Sequence, residues 1–163
     1  MRDCSVYTGE FLGGEITGEG RRVYANGREY VGGWENGEKE GWGTERFGEE
    51  VYEGNWHCNR RCGPGKITWS GGDYCEGVFE GHQMRGKGVA RRNGLLFKGT
   101  FERGQPTGRG VGKYLDGGRD EVVGEYEGEY VEGRREGEGR YDCKGETRAR
   151  YRVSELPRER ATA

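Results

Sequence analysis

Residues 30–47 read Tyr-Val-Gly-Gly-Trp-Glu-Asn-Gly-Glu-Lys-Glu-Gly-Trp-Gly-Thr-Glu-Arg-Phe, and the fold turns on how this stretch is read. Tyr30, Gly32 and Trp34 occupy alternate positions, so on an extended chain they share one face. Glu35-Asn36-Gly37-Glu38 supplies turn chemistry, and residues 41–47 return as a second strand. The unit is a β-hairpin.

Working outward, the same frame recurs: aromatic, any residue, glycine, any residue, aromatic, then a glycine and a Gly-x-Gly pair. It begins at Tyr7, Tyr30, Tyr52, Cys75, Phe97 and Tyr126. The second aromatic position holds Phe11, Trp34, Trp56, Phe79, Phe101 and Tyr130. Starts are 22 or 23 residues apart except the last, at 29, which places an insertion at residues 116–123 and predicts an extended turn there. Glycine normally weakens a strand, but beside a large ring it leaves a gap in which the ring can lie across a neighbouring backbone. A lone hairpin is marginal in water, so the units are expected to stack edge to edge. The predicted fold is all-β, an elongated single-layer antiparallel β-meander over residues 1–153. Residues 148–153 are expected to add a closing strand, and residues 154–163 a flexible tail.

Segments such as Tyr52-Glu53-Gly54-Asn55-Trp56 and Tyr126-Glu127-Gly128-Glu129-Tyr130, each followed by Gly-x-Gly, resemble MORN (membrane occupation and recognition nexus) repeats from about Tyr7 to Cys143. The resemblance implies a twisted sheet with a groove lined by aromatics, and a scaffold role in cytoskeletal, ciliary or membrane-associated assemblies. Asn59 and His82 replace the usual turn glycine and Cys75 an aromatic, so local irregularity is expected in the third and fourth repeats.

Composition agrees with order despite 34% charged and 30% hydrophobic residues, because 4 Trp, 10 Tyr and 5 Phe recur at fixed distances from many of the 35 glycines. The net charge of −2, with both signs interleaved, gives no footprint for nucleic acid. No apolar run approaches a membrane span, and five cysteines suggest free thiols in a reducing compartment. The expectation is a cytoplasmic, cytoskeleton-associated protein, with the axoneme of a cilium or flagellum as one setting.

No Gly-x-Gly pair completes a phosphate loop, and the chain offers only His57 and His82, with Ser5, Ser70 and Ser154 scattered far apart in sequence, so neither a cofactor nor an enzyme activity is expected. His57, Cys58, Cys62, Cys75 and His82 offer zinc-ligand chemistry, but C-x₃-C with a lone cysteine is not a tetrahedral spacing. Free thiols and no metal are the expectation. The stripe Tyr7, Phe11, Tyr30, Trp34, Tyr52, Trp56, Phe79, Phe97, Phe101, Tyr126 and Tyr130 is expected to be mainly core, with part left open as a groove. The expected partner is a protein segment, extended or helical, crossing several repeats, within a larger complex or a self-association. The alternative is a peripheral membrane or phosphoinositide module touching phosphates through Arg21-Arg22, Arg60-Arg61, Arg91-Arg92 and Arg134-Arg135.

Overall fold

Alternating residues and recurrent turn dipeptides build thirteen strands among the described residues. They are β1 (Val6–Leu12), β2 (Glu15–Val23), β3 (Glu29–Glu35), β4 (Glu38–Phe47), β5 (Glu50–His57), β6 (Arg60–Thr68) and β7 (Tyr74–Glu80), followed by β8 (Gln83–Arg92), β9 (Leu95–Glu102), β10 (Gln105–Leu115), β11 (Val122–Val131), β12 (Arg134–Cys143) and β13 (Ala149–Arg152). The computed structural model describes residues 4–117, 120–143 and 149–152. Strands pair in chain order from β1 to β13 in one sheet, every neighbour antiparallel. A short 3-10 turn at Ser70–Gly72 joins β6 to β7. The open meander of hairpins is the fold expected from the repeat, and β13 stands where a closing strand was placed. The expected tail at 154–163 lies outside the described residues.

Each glycine of the Gly-x-Gly pair has a different duty. Gly41 sits at φ +71°, in the left-handed region that disfavours a side chain, where the β3–β4 register shifts. Gly43 is extended, and the Tyr30 ring covers it so closely that a Cβ there would collide with the ring. The same covering holds for Tyr52 on Gly65, Phe97 on Gly110 and Tyr126 on Gly139. The ring thus packs against backbone that any side chain would fill.

The second aromatic of each unit completes a stack. Trp34 meets Tyr30 of its own repeat and Tyr7 of the preceding one edge to face, with centroids 5.1 and 5.4 Å apart. Trp56 bridges Tyr52 and Tyr30 in the same way, and Tyr130 bridges Tyr126 and Phe97. Each such pair adds about 0.5–1.5 kcal/mol beyond the burial itself. Polar tips are also met: Trp34 Nε1 donates to Gly20 O at 3.2 Å, Trp56 Nε1 to Gly43 O at 3.2 Å, and Tyr52 Oη to Asn55 O at 3.0 Å.

Phe11 departs from the expected core: it is 59% exposed, because it has Tyr7 beside it but no ring from a preceding repeat. The fourth repeat departs differently. Cys75 brings no ring to cover Gly77 and Gly88, and Met84 Sδ fills that space from the returning strand. Met84 and Phe79 are both buried. Sulfur and a flexible chain suit an irregular gap.

The expected irregularity at Asn59 and His82 does not extend to the turn backbone. Asn36–Gly37, Cys58–Asn59, Gly81–His82, Arg103–Gly104 and Glu132–Gly133 all hold positive φ, so non-glycine residues adopt the same tight turn. Each tip is tied to the preceding hairpin, as where Asn59 N donates to Lys39 O at 3.2 Å and Gly133 N to Pro106 O at 2.9 Å. In the long interval, β10 runs on to Leu115 and β11 begins at Val122. There Asp116 N donates to Glu121 O at 2.9 Å, and Asp120 bonds Arg91 at 2.5 Å.

Candidate interaction surfaces

Nine of the eleven stripe aromatics, all but Tyr7 and Phe11, are at most 4% exposed. Over repeats two and three the reason is a cationic roof. Lys39 and Arg61 stand opposite Trp34 and Trp56 in the register. Lys39 Nζ lies over Trp56 at 4.4 Å and Tyr30 at 4.7 Å, and the Arg61 guanidinium over Tyr52 at 4.7 Å. Glu45, 4% exposed, pairs with Lys39, with Arg61 at 3.3 Å and with Arg28 at 3.9 Å. Arg61 also reaches Glu50 at 2.8 Å, whose other oxygen accepts from Trp69 Nε1. Burial works to raise the Glu45 pKa, but the Lys39 hydrogen bond and the surrounding cations outweigh it and hold the carboxyl below its ordinary range. Burial also pulls the Lys39 pKa down.

Over repeats five and six the same face is not closed in this way. A cavity of about 700 Å³ opens there, walled by Phe97, Phe101 and Tyr130 of the predicted stripe, together with Tyr114. The position that Glu45 occupies opposite Tyr52 is taken by Ala90 opposite Phe97 and Gly112 opposite Tyr126. Ala90 lines the cavity, whereas over Gly112 the Tyr130 hydroxyl takes the room that a longer side chain would need.

The opposite face carries a larger trough of about 1040 Å³ across β4 to β10. Its lining includes Trp42, Lys66, Lys87, Lys98 and Arg109, with Glu53 and Glu76 between them. Trp42 is 60% exposed. It was visible in the sequence as the middle residue of a Gly-x-Gly pair, a position that alternation puts on the face opposite the ring-covered glycine. Sequence reasoning attended to the glycines and passed over it.

The thiol and imidazole groups separate. His57 Nδ1 bonds Glu40 at 3.0 Å, and Cys58 Sγ lies 3.7 Å from His57 Nε2, so these two come together with Glu40. Cys62, Cys75 and His82 do not join that group; His82 instead approaches the Trp56 ring, with centroids 6.4 Å apart. Desolvation and the carboxylate of Glu38 push the Cys58 thiol up, while burial pushes up Cys75, so neither is biased toward thiolate. Glu40 raises the His57 pKa, and burial lowers that of His82. Of the arginine pairs, Arg21 is held by Glu29 at 2.6 Å, Arg61 by Glu45 and Glu50, and Arg91 by Asp120.

A sheet of stacked hairpins with two unequal faces defines a repeat-built interaction module. The family model for the MORN repeat matches residues 7–27, 30–49, 52–74, 97–119 and 126–148, and the chain belongs to that family. The unmatched stretch includes the fourth hairpin, where Cys75 and Met84 depart from the pattern. The chain is also similar to Alsin from Rattus norvegicus and from Homo sapiens, at 29% identity over 119 residues. That match covers 66% of this chain but 7% of each relative's length.

Proposed function

We propose that the chain is a non-enzymatic scaffold or adaptor whose main partner surface is the trough opposite the ring stack. Trp42 carries this reading. A large aromatic left open beside a row of basic residues has the make-up of an interface anchor, whereas the stripe aromatics are already committed to packing. A partner segment lying across β4 to β10 would place an apolar residue on Trp42 and acidic residues along Lys66, Lys87 and Lys98. Assignment to a cytoskeletal or axonemal assembly of the cytoplasm rests on the habits of MORN proteins. The internal partners of Arg21, Arg61 and Arg91 weigh against a phosphoinositide module built on the arginine pairs.

Quantitative proximity labelling in cells, with the wild type beside Trp42→Ser and Lys87→Glu/Lys98→Glu, tests the reading. A discrete protein set should fall away in both variants while their thermal melts stay unchanged. An unaltered set would remove the trough as the partner surface. Salt-sensitive sedimentation with anionic vesicles, lost in the same variants, would favour the membrane alternative.

A further inference from the structure

His57 and Cys58 adjoin at the tip between β5 and β6. Cys62, Cys75 and His82, near in sequence, do not reach this pair, but Glu40 of β4 does. Glu40 Oε1 lies 3.0 Å from His57 Nδ1, and its Oε2 accepts from Cys58 N at 3.1 Å. Cys58 Sγ is 3.7 Å from His57 Nε2 and 4.0 Å from Nδ1. One sulfur, one nitrogen and one oxygen therefore lie within 4.8 Å of one another. Tetrahedral zinc, with bonds of about 2.3 Å to sulfur and about 2.0–2.1 Å to nitrogen and oxygen, sets sulfur and nitrogen about 3.5 Å apart and nitrogen and oxygen about 3.4 Å apart. The Nδ1 separations here differ from those values by about half an ångström or less, which side-chain rotation covers.

The tip is also fixed in place. Gly37, His82, Gly104 and Gly133 each send a backbone N–H to the preceding hairpin, as Asn59 does to Lys39 O. Asn59 adds two side-chain bonds: its Oδ1 accepts from Lys39 N at 2.9 Å, and its Nδ2 donates to Glu38 Oε1 at 3.1 Å. With the Cys58–Glu40 bond, they hold the three donors together before any ion arrives, which lowers the cost of ordering them. Charge acts in the same direction. Glu38 and Glu40 act on both the thiol and the imidazole and Glu35 on the imidazole, opposed at the thiol by Arg60. Carboxylates that oppose a bare thiolate favour a dication, whose own charge then stabilises the thiolate. His57 is 70% exposed, so ions reach the cluster from solvent.

We propose that Glu40, His57 and Cys58 bind a zinc ion, with water as the fourth ligand. Zn²⁺ takes the place of the thiol proton and of the proton between His57 Nδ1 and Glu40, and both pass to solvent. Thiolate and carboxylate together neutralise the ion, which clips the third hairpin to the second. The site shares no lining residue with the trough or the ring-face cavity.

The full chain, stripped of metal by a chelator and kept with a non-coordinating reductant, is titrated first with Co²⁺ alone. Cobalt should give a sulfur-to-metal charge-transfer band and the visible bands of a tetrahedral ion, saturating at one equivalent. Zn²⁺ should bleach them, whereas Mg²⁺ and Ca²⁺, which prefer oxygen donors, should not. Cys58→Ser should remove the charge-transfer band. His57→Gln and Glu40→Gln should each weaken Zn²⁺ at least tenfold in competition with a zinc-binding dye. Cys62→Ser should leave binding unchanged, and the metal-free variants, altered at the surface, should keep the wild-type circular dichroism. The absence of a charge-transfer band at millimolar cobalt, a band that survives Cys58→Ser, or zinc affinity indifferent to both His57→Gln and Glu40→Gln would overturn the proposal. Loss of the band in Cys62→Ser would overturn it in favour of a site shared among the cysteines.

Discussion

Repeats two and three and repeats five and six use one hairpin plan, yet they end differently. In the first pair, Lys39 and Arg61 fold over the rings, and the buried carboxylate of Glu45 neutralises them. In the second pair, Arg135 covers Tyr114 and Tyr126, while the carboxylate's place holds Ala90 opposite Phe97 and, opposite Tyr126, Gly112 with Tyr130 Oη packed over it. Between them lies the fourth repeat, where Met84 substitutes for a missing ring. A ring stack therefore does not by itself decide whether its face is closed. The residues opposite the aromatics in the register also take part: Lys39, Arg61 and Glu45 in one half, Pro106, Ala90 and Gly112 in the other.

The comparison breaks most visibly at Glu45. Glu45→Ala leaves Lys39 and Arg61 buried without their shared counter-ion and should cost about 3–5 kcal/mol by urea unfolding, whereas Ala90→Glu should change stability far less. Because the folded Glu45 pKa lies below its ordinary value, its contribution is present above the unfolded carboxyl range and is lost as pH falls through the folded value. Acid unfolding should thus be gentler in Glu45→Ala, a difference that pH-dependent circular dichroism resolves.

Met84→Ala comes next. It empties the space over Gly77 and Gly88 and should cost about 2–4 kcal/mol, with the loss of hydrogen-exchange protection centred on β7 and β8. Equivalent glycines then separate a ring-filled site from a methionine-filled one. At Gly54 a Cβ would sit 2.6 Å from Gly65 Cα and 2.7 Å from Tyr52 Cζ; at Gly77 its nearest neighbour would be Met84 Sδ at 2.8 Å. Gly54→Ala should cost about 2–3 kcal/mol and Gly77→Ala about 1 kcal/mol, since a methionine swings aside more easily than a tyrosine held in a stack.

The smallest effect distinguishes the two histidines. NMR titration should find His57 above the ordinary histidine value and His82 below it. The His57–Glu40 contact helps stability at acid pH and fades as pH rises through the raised folded pKa. The neutral His82 contributes fully above the ordinary range, and its contribution is lost as pH falls through the lowered one. Glu40→Gln should return His57 toward its ordinary value and leave His82 in place.

Much of the architecture was legible because its signals are local. Alternation, turn dipeptides and glycines at fixed distances from rings name the strand, the hairpin and the nearest-neighbour stack without knowledge of distant residues. The longer interval between the fifth and sixth repeats is likewise read from spacing alone. Phe11 was misplaced because its pattern is intact and only the neighbour it needs is missing.

Tertiary structure decided the rest, because closure of a face depends on residues about 22 positions apart whose side chains meet across hairpins. Lys39, Glu45 and Arg61 look like solvated charges in a one-dimensional reading. Only the register brings them together over Tyr30, Tyr52 and Trp56, where low water access converts ordinary surface charges into a buried network. The same register sets small residues there in the second half, since nothing local to Ala90 or Gly112 records that a carboxylate occupies their place two and three repeats earlier.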